Sequence, residues 1–395
     1  VLFMNSNAFG KLIRTYREKH GWKQEELADR WGFTREYISQ IERGKRKLDK
    51  PEQVIRLADI LGIPEEQLAQ AGKGLPPKLL SARHEGKVDD LLLHALLEPA
   101  HTTVKLSWLI WQGHDMLTDY TNNLQSLERR LNDVLGLYRG QFHQPALRML
   151  ASVHELLGKQ AVDRTATQEA MTRFQSMYDI AEELGDTDLL TLATIHQAAM
   201  FRRKGRFEAS FRRFEAAEKS ARGASRWLQG FLWKMYARNF YVSGDEQAFL
   251  RSIDRAADIA ESIEATVDTI ANGFDKLNVL QERAQGFTML WQPERALTIY
   301  QETDKVRPFR PLREQSSYHI VKAQAFCQSG HLHTGIEHAF AGLRMAEKLR
   351  SNRYVVHLQQ MSDRLSGTPI GKERALQDLR GQILNALQTL RPNVS

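Results

Sequence analysis

The chain has 395 residues, 42% hydrophobic and 26% charged, with only 11 prolines. That composition excludes a disordered or collagen-like chain, and the length calls for two or three domains. A single cysteine, Cys327, excludes a disulfide framework and a cysteine-rich zinc site, and fits a reducing cytoplasm. The net charge is +7, but residues 1–71 hold 13 Lys/Arg against 11 Asp/Glu, so any basic surface there is local.

No apolar run reaches the roughly 20 residues of a membrane helix. The opening VLFMNSNAFG turns polar too soon for a signal peptide, and Met4 is read as the natural start. No alternating strand pattern occurs, so the expected class is all-α.

The first predicted helix carries Phe9, Leu12, Ile13 and Tyr16 and closes at Gly21. Gln24 to Gly44 then reads as two short helices around a tight turn. Leu27, Ala28 and Trp31 share one face, and Ile38 and Ile41 share the next. Gly32 is placed as the stop, Phe33 as the plug of the turn and Thr34 as the N-cap of the second helix. Val54, Leu57, Ala58 and Leu61 follow Pro51 and close at Gly62. This is helix-turn-helix grammar, whose second helix lies in a DNA major groove. Behind it come Arg43, Lys45, Arg46, Lys47 and Lys50, where phosphate contacts are expected.

The stretches LIRTYREKHGWKQEELADRWGFTREYISQIERGKRK and VIRLADILGIPEEQL resemble the five-helix DNA-binding domain of the lambda-repressor-like, xenobiotic-response-element family. The resemblance implies that Arg35 and Glu36 point at base edges, with Ser39 and Gln40 one turn later. Arginine suits guanine and glutamate suits cytosine N4. It also makes Gln24 a phosphate-contacting, helix-orienting residue, and Thr34, Arg43, Lys45 and Arg46 complete the DNA-binding set. Lys23 departs from the family, which has a capping Ser or Thr there. That cap is expected to be missing, with Lys23 touching phosphate itself. Tyr37 is left between half-buried packing and a phosphate bond.

Residues 1–71 thus form the expected DNA-binding domain, and 72–87, with Pro76 and Pro77, a linker. In 88–140, a helical connecting and dimerisation region, VDDLLLHALL is read as a short helix stopped near Pro99. Leu117, Tyr120, Leu124, Leu127, Leu131, Val134 and Tyr138 then form a three-heptad seam, either internal or a dimer contact.

Residues 141–351 repeat a small residue, an aromatic, a turn glycine and a second small–aromatic helix. Ala198, Phe201, Gly205, Phe207, Ser210, Phe214 and Ala217 are the best copy, and Ala323, Phe326, Gly330, Leu332, Gly335, Ala339 and Gly342 follow it. Ala284, Phe287, Trp291, Pro293, Ala296 and Tyr300 fit with Trp291 in the glycine's place. Trp233 to Ala248 gives a slipped copy and Ala151 to Phe174 a stretched one. The spacing resembles the tetratricopeptide repeat, so the expected fold is a five-helix DNA-binding domain followed by an α-solenoid of helix pairs, capped by helices in 352–395.

That order resembles the peptide-sensing cytoplasmic regulators of the Rgg, PlcR, NprR and PrgX group. The resemblance implies a homodimer on an inverted-repeat operator of double-stranded DNA, with the repeats cradling a short signalling peptide. From the helix faces, the peptide-binding candidates are Arg148, Arg202, Lys234, Arg238, Tyr241, Asn278, Gln281, Gln285 and Gln324. Amides offer a peptide backbone both donor and acceptor, and arginines suit a carboxylate. An acidic or carboxylate-terminated peptide is favoured. The alternative is a protein-interaction scaffold with a vestigial DNA-binding domain. No glycine-rich phosphate loop or nucleophile elbow occurs, so neither an enzyme nor a cofactor is expected. The group His331, His333, Glu337 and His338 lacks a tetrahedral set, so no metal is expected.

Overall fold

The computed structural model describes residues 6–31, 33–46, 48, 51–64, 67, 86–113, 120–137, 140–264, 273–304, 310–367 and 369–390. Every α-helix or 3-10 turn among them is accounted for without a strand, so the chain is all-α. The chain divides into two compact units. The first holds Val1–Thr103, Asn123–Val153 and Asp179–Asp186, and the second holds Val104–Asn122, His154–Tyr178 and Thr187–Ser395.

In the first unit α1 (Ser6–Lys19), α2 (Gln24–Trp31), α3 (Arg35–Glu42) and α4 (Pro51–Leu61) share one core. Phe9, Ile13, Leu27, Ala28, Trp31, Ile38, Ile41, Val54, Leu57, Ala58 and Leu61 are all buried in it. These are the apolar positions that the helical spacing picks out. Gly10 is a further requirement: a Cβ there would collide with Ile41 O and lie 2.8 Å from Glu42 O, so α1 crosses α3 at backbone contact. The Phe33 N–H donates to Ala28 O at 2.9 Å, closing α2, and the Phe33 ring packs on Trp31 at 4.3 Å. Gly32, Lys47, Lys50 and the expected fifth helix lie outside the described residues.

α5 (Gly86–Trp111) runs through Pro99 rather than stopping there. Proline costs one backbone bond, but Leu93, Ala100, Val104 and Ser107 keep one buried stripe across it. α6 (Tyr120–Leu137) buries Leu124, Leu127, Leu131 and Leu135. Leu135, not the half-buried Val134, takes the last inward place, while Leu117 and Tyr138 fall outside the described residues.

Among the described residues six helix pairs follow. They are α7 (His143–Asp163) with α8 (Thr167–Leu184), α9 (Thr187–Arg203) with α10 (Phe207–Ala221), and α11 (Arg226–Ser243) with α12 (Glu246–Ser262). Then come α13 (Lys276–Met289) with α14 (Pro293–Thr303), α15 (Leu312–Gln328) with α16 (Leu332–Lys348), and α17 (Asn352–Ser366) with α18 (Arg374–Thr389). Asp245 and Asp275 cap α12 and α13 through Ala248 N–H at 2.9 Å and Asn278 N–H at 2.7 Å. Trp291 holds the left-handed turn between α13 and α14 at φ 59°, the place glycine fills at Gly205, Gly244 and Gly330. Small residues let rings approach: Gly158 faces Phe174, and Gly286 faces the fully buried Phe249.

Candidate functional site

The first candidate surface is α3. Thr34, in extended backbone, accepts the Tyr37 N–H at 3.2 Å and so starts the helix as a side-chain cap. At the start of α2, Lys23 offers no side-chain cap, but Glu26 accepts the Lys23 N–H at 2.7 Å. Half of a capping box therefore replaces the missing hydroxyl. Ile38 and Ile41 face the core, which turns Arg35, Glu36, Ser39 and Gln40 outward.

Those outward groups hold one another loosely. Arg35 lies 3.4 Å from Glu25, with both side chains mostly exposed. Gln40 donates to Glu36 at 3.4 Å, and Arg43 bonds Ser39 Oγ at 2.6 Å. Exposed pairs of this kind cost little to exchange for another partner. Tyr37 is half-buried, stacked on Phe33 at 4.5 Å and covered by the Arg46 guanidinium at 4.3 Å; burial raises its pKa. Lys45 and Arg46 are exposed at the end of α3. Gln24 donates to the buried carboxylate of Glu42 at 2.8 Å. Glu42 is thus an orienting residue that sequence reasoning missed.

The second candidate is a cavity of about 220 Å³ within the second unit, lined mainly by the first helices of successive pairs. It brings together Arg202, Lys234, Arg238, Asn278, Gln281 and Gln285. Arg148 does not line it; it lies in the other unit, paired with Asp186 at 3.2 Å. Tyr241 is buried and donates to Glu282 at 2.8 Å, and Gln324 is buried without lining the cavity.

Among the described residues seven cations line the cavity, Lys159, Arg202, Arg203, Lys234, Arg238, Arg313 and Arg353, against the carboxylates Glu282 and Glu314. Arg238 donates to Glu282 through Nε and Nη2, one edge of its guanidinium. Burial opposes the charge on each of the two, but their attraction is stronger, so the pKa of Arg238 rises and that of Glu282 falls. Lys159 pairs with Glu155 at 2.8 Å and Arg313 with Asp163 at 2.7 Å. Burial, then the nearby Arg238, pushes Arg202 down to about 10. Lys234, which donates to Gly273 O, is pushed down to about 8, chiefly by burial.

Arg203 and Arg353 were not legible as lining residues. Arg203 adjoins Arg202 on one helix, where counting along a single face selects only one of the two. Arg353 belongs to the segment read as a polar cap. The His331, His333 and His338 side chains do not converge: they meet Ser329, Glu337 and His319 respectively. Among the described residues no three potential ligands gather around a metal position, and no helix is long and apolar enough to cross a membrane.

Residues 8–71 match the family described as a helix-turn-helix domain. Among solved structures the chain is similar to the crystal structure of Bacillus thuringiensis PlcR in complex with the peptide PapR7 and DNA. Identity is 12%, covering 75% of this chain and 96% of that one, with a TM-score of 0.28, too low for a whole-chain superposition. No curated protein matches the chain.

Proposed function

We propose that the chain is a sequence-specific DNA-binding transcription regulator that works as a homodimer on an inverted repeat. Its helical-repeat part senses a short peptide with an anionic end. The observation that carries the first statement is α3 of the helix-turn-helix domain, which turns Arg35, Glu36, Ser39 and Gln40 outward between the Thr34 cap and the Arg43–Arg46 cluster. Base-edge readers flanked by phosphate-positioning cations are what major-groove readout needs. Dimerisation is part of the reading because one such domain spans only a half-site. The cation-lined cavity with Asn278, Gln281 and Gln285 in its wall supports the sensor.

Selection from random duplexes at about 100 mM salt tests the DNA reading, since binding of this kind is salt-dependent. Arg35→Ala should relax preference at one position by about 1–3 kcal/mol, whereas Arg46→Ala should weaken all sites alike. Enrichment of no sequence, or an unchanged sequence with Arg35→Ala, would remove the proposal. Light scattering with operator duplex should give two chains per duplex. Calorimetry with free-acid peptides, followed by operator titration, tests the sensor.

A further inference from the structure

The cavity's charges do not balance. Lys159, Arg238 and Arg313 each have a carboxylate of their own in Glu155, Glu282 and Asp163. Among the described residues no carboxylate forms an ion pair with Arg202, Lys234, Arg203 or Arg353; Glu282, already taken by Arg238, acts on Arg202 and Lys234 only at longer range, as Glu314 does on Lys234. The Arg202 side chain, buried to all but 7%, reaches only the neutral Asn239 Oδ1 at 3.2 Å. Asn239 is itself fixed by a bond to Ser210 Oγ at 2.8 Å, and Ser210 donates to Ala198 O at 2.7 Å. Lys234, equally buried, reaches a backbone carbonyl. This relay fixes a cation facing a cavity rather than neutralising it. Arg203 is exposed and Arg353 half-buried beside them, so the strain falls on the buried Arg202 and Lys234. Keeping those two beside two further cations is unfavourable unless an anion arrives.

The size of the space narrows the anion. About 220 Å³ is below the range of about 300–1,000 Å³ usual for ligand pockets. An extended heptapeptide does not fit inside it, whereas one compact terminal group does. Phe231, Met235 and Tyr354 in the wall give that group an apolar body to rest against.

We infer that the cavity anchors its ligand through one compact group bearing two negative charges, held among Arg202, Arg203, Lys234 and Arg353. A single charge would leave most of the four cations uncompensated. Two oxyanions supply enough acceptors for guanidinium forks and an ammonium together. The inference rests on the sensor reading for its biological sense and names the chemistry of that site. Two sources share this chemistry: a peptide C-terminus whose α-carboxylate adjoins an acidic side chain, and a phosphate monoester or dicarboxylate metabolite.

The test uses the full chain at fixed ionic strength, with thermal unfolding and calorimetry. The probes are succinate, inorganic phosphate, acetate, and N-acetyl-alanyl-aspartate as free acid and as C-terminal amide. Doubly charged probes should raise Tm by roughly 3–8 °C at 100-fold excess over Kd. Acetate and the amide should bind at least about ten-fold more weakly, as each lacks one charge-assisted bond. Arg203→Gln and Arg353→Gln should each cost the dianions about ten-fold or more while the ligand-free Tm is kept or rises. Preference for the free-acid dipeptide supports the anchor with a peptide as source, and preference for phosphate or succinate supports it with a metabolite. Equal binding of acetate and succinate, or full dianion binding by both variants, overturns it. If an amidated peptide alters operator affinity while no dianion binds, the anchor fails and the sensor reading survives. If dianions bind but no peptide changes operator affinity, the anchor stands and the peptide reading fails.

Discussion

Arg17 of α1 and Glu42 of α3 meet at two points, Nε to Oε1 at 2.6 Å and Nη2 to Oε2 at 3.0 Å, with both side chains more than nine-tenths buried. The same arginine donates to Trp22 O at 2.7 Å, and the same carboxylate takes the Gln24 amide at 2.8 Å. One ion pair therefore ties α1, the entry to α2 and the end of α3. The hydrogen bond that Arg17 donates to Glu42 raises the pKa of Arg17, burial opposing it.

Glu42→Ala should accordingly cost the helix-turn-helix domain about 3–5 kcal/mol, because it leaves a buried guanidinium unmatched. A domain of this size has little more than that to lose. A melt should show an early transition for this domain with the repeat transition in place, and operator binding should vanish. Unchanged operator affinity would mean that the pair does not hold α3 in place.

Glycines in the repeats divide by what surrounds them. A Cβ on Gly286 would enter the Phe249 ring, so Gly286→Ala should destabilise by about 1–3 kcal/mol. Gly381 sits inside α18 with nothing within 4 Å, so Gly381→Ala should stabilise by about 0.5–1 kcal/mol. Trp291 is largely exposed and left-handed, and Trp291→Gly should stabilise by about 1 kcal/mol. Denaturant melts read all three, and the same sign for Gly286→Ala and Gly381→Ala would contradict this packing.

The contrast between Phe214 and Arg353 explains how much was legible in the sequence. Helix spacing selects Leu27, Trp31, Ile38 and Ile41 because an apolar stripe reports directly on one packed face. It selects Ala198, Phe214, Ala284 and Tyr300 for the same reason, and all eight are buried. The cavity depends on contacts between residues far apart in the chain. Arg353 and Arg202 become neighbours only through the stacking of intervening pairs, and Glu42 finds Arg17 across 25 residues. Local spacing also failed at Pro99, where the propensity for a break was outweighed by a stripe continuing to Val104 and Ser107.

Two histidines make the repeats acid-sensitive. His338 Nδ1 lies 2.8 Å from His319 Nδ1, and the ring stacks on Phe326. Burial, then Lys322 and His319, pushes His338 down to about 4, with Asp304 opposing. Burial, then Arg353 and Arg364, pushes His357 down to about 4. The unfolded chain takes up these protons from about pH 6.5, whereas the folded chain resists them until about 4. Stability is therefore whole above pH 6.5 and falls between 6.5 and 4, by on the order of 3 kcal/mol at most per histidine. His338→Asn should flatten the Tm slope in that window, and an unchanged slope would exclude His338 as a source.

The last relationship is between Arg313 at the start of α15 and Asp163 at the end of α7, 150 residues apart yet joined at 2.8 Å. Arg313 Nε also donates to Trp111 O at 2.7 Å, its guanidinium lies 4.2 Å over the Trp111 ring, and Trp111 Nε1 donates to Asp163 at 2.9 Å. Both charged side chains are nearly buried. Arg313→Ala should destabilise the second unit by about 3–5 kcal/mol, since Asp163 is left as an unmatched buried carboxylate. Arg313→Met with Asp163→Leu should recover most of that loss, because removing both charges also removes their desolvation cost. Arg313 and Trp111 both line the cavity, so the double variant should regain its melting temperature but bind the anionic probes more weakly. Recovery of stability with undiminished binding would show that this junction closes the repeats without shaping the ligand site.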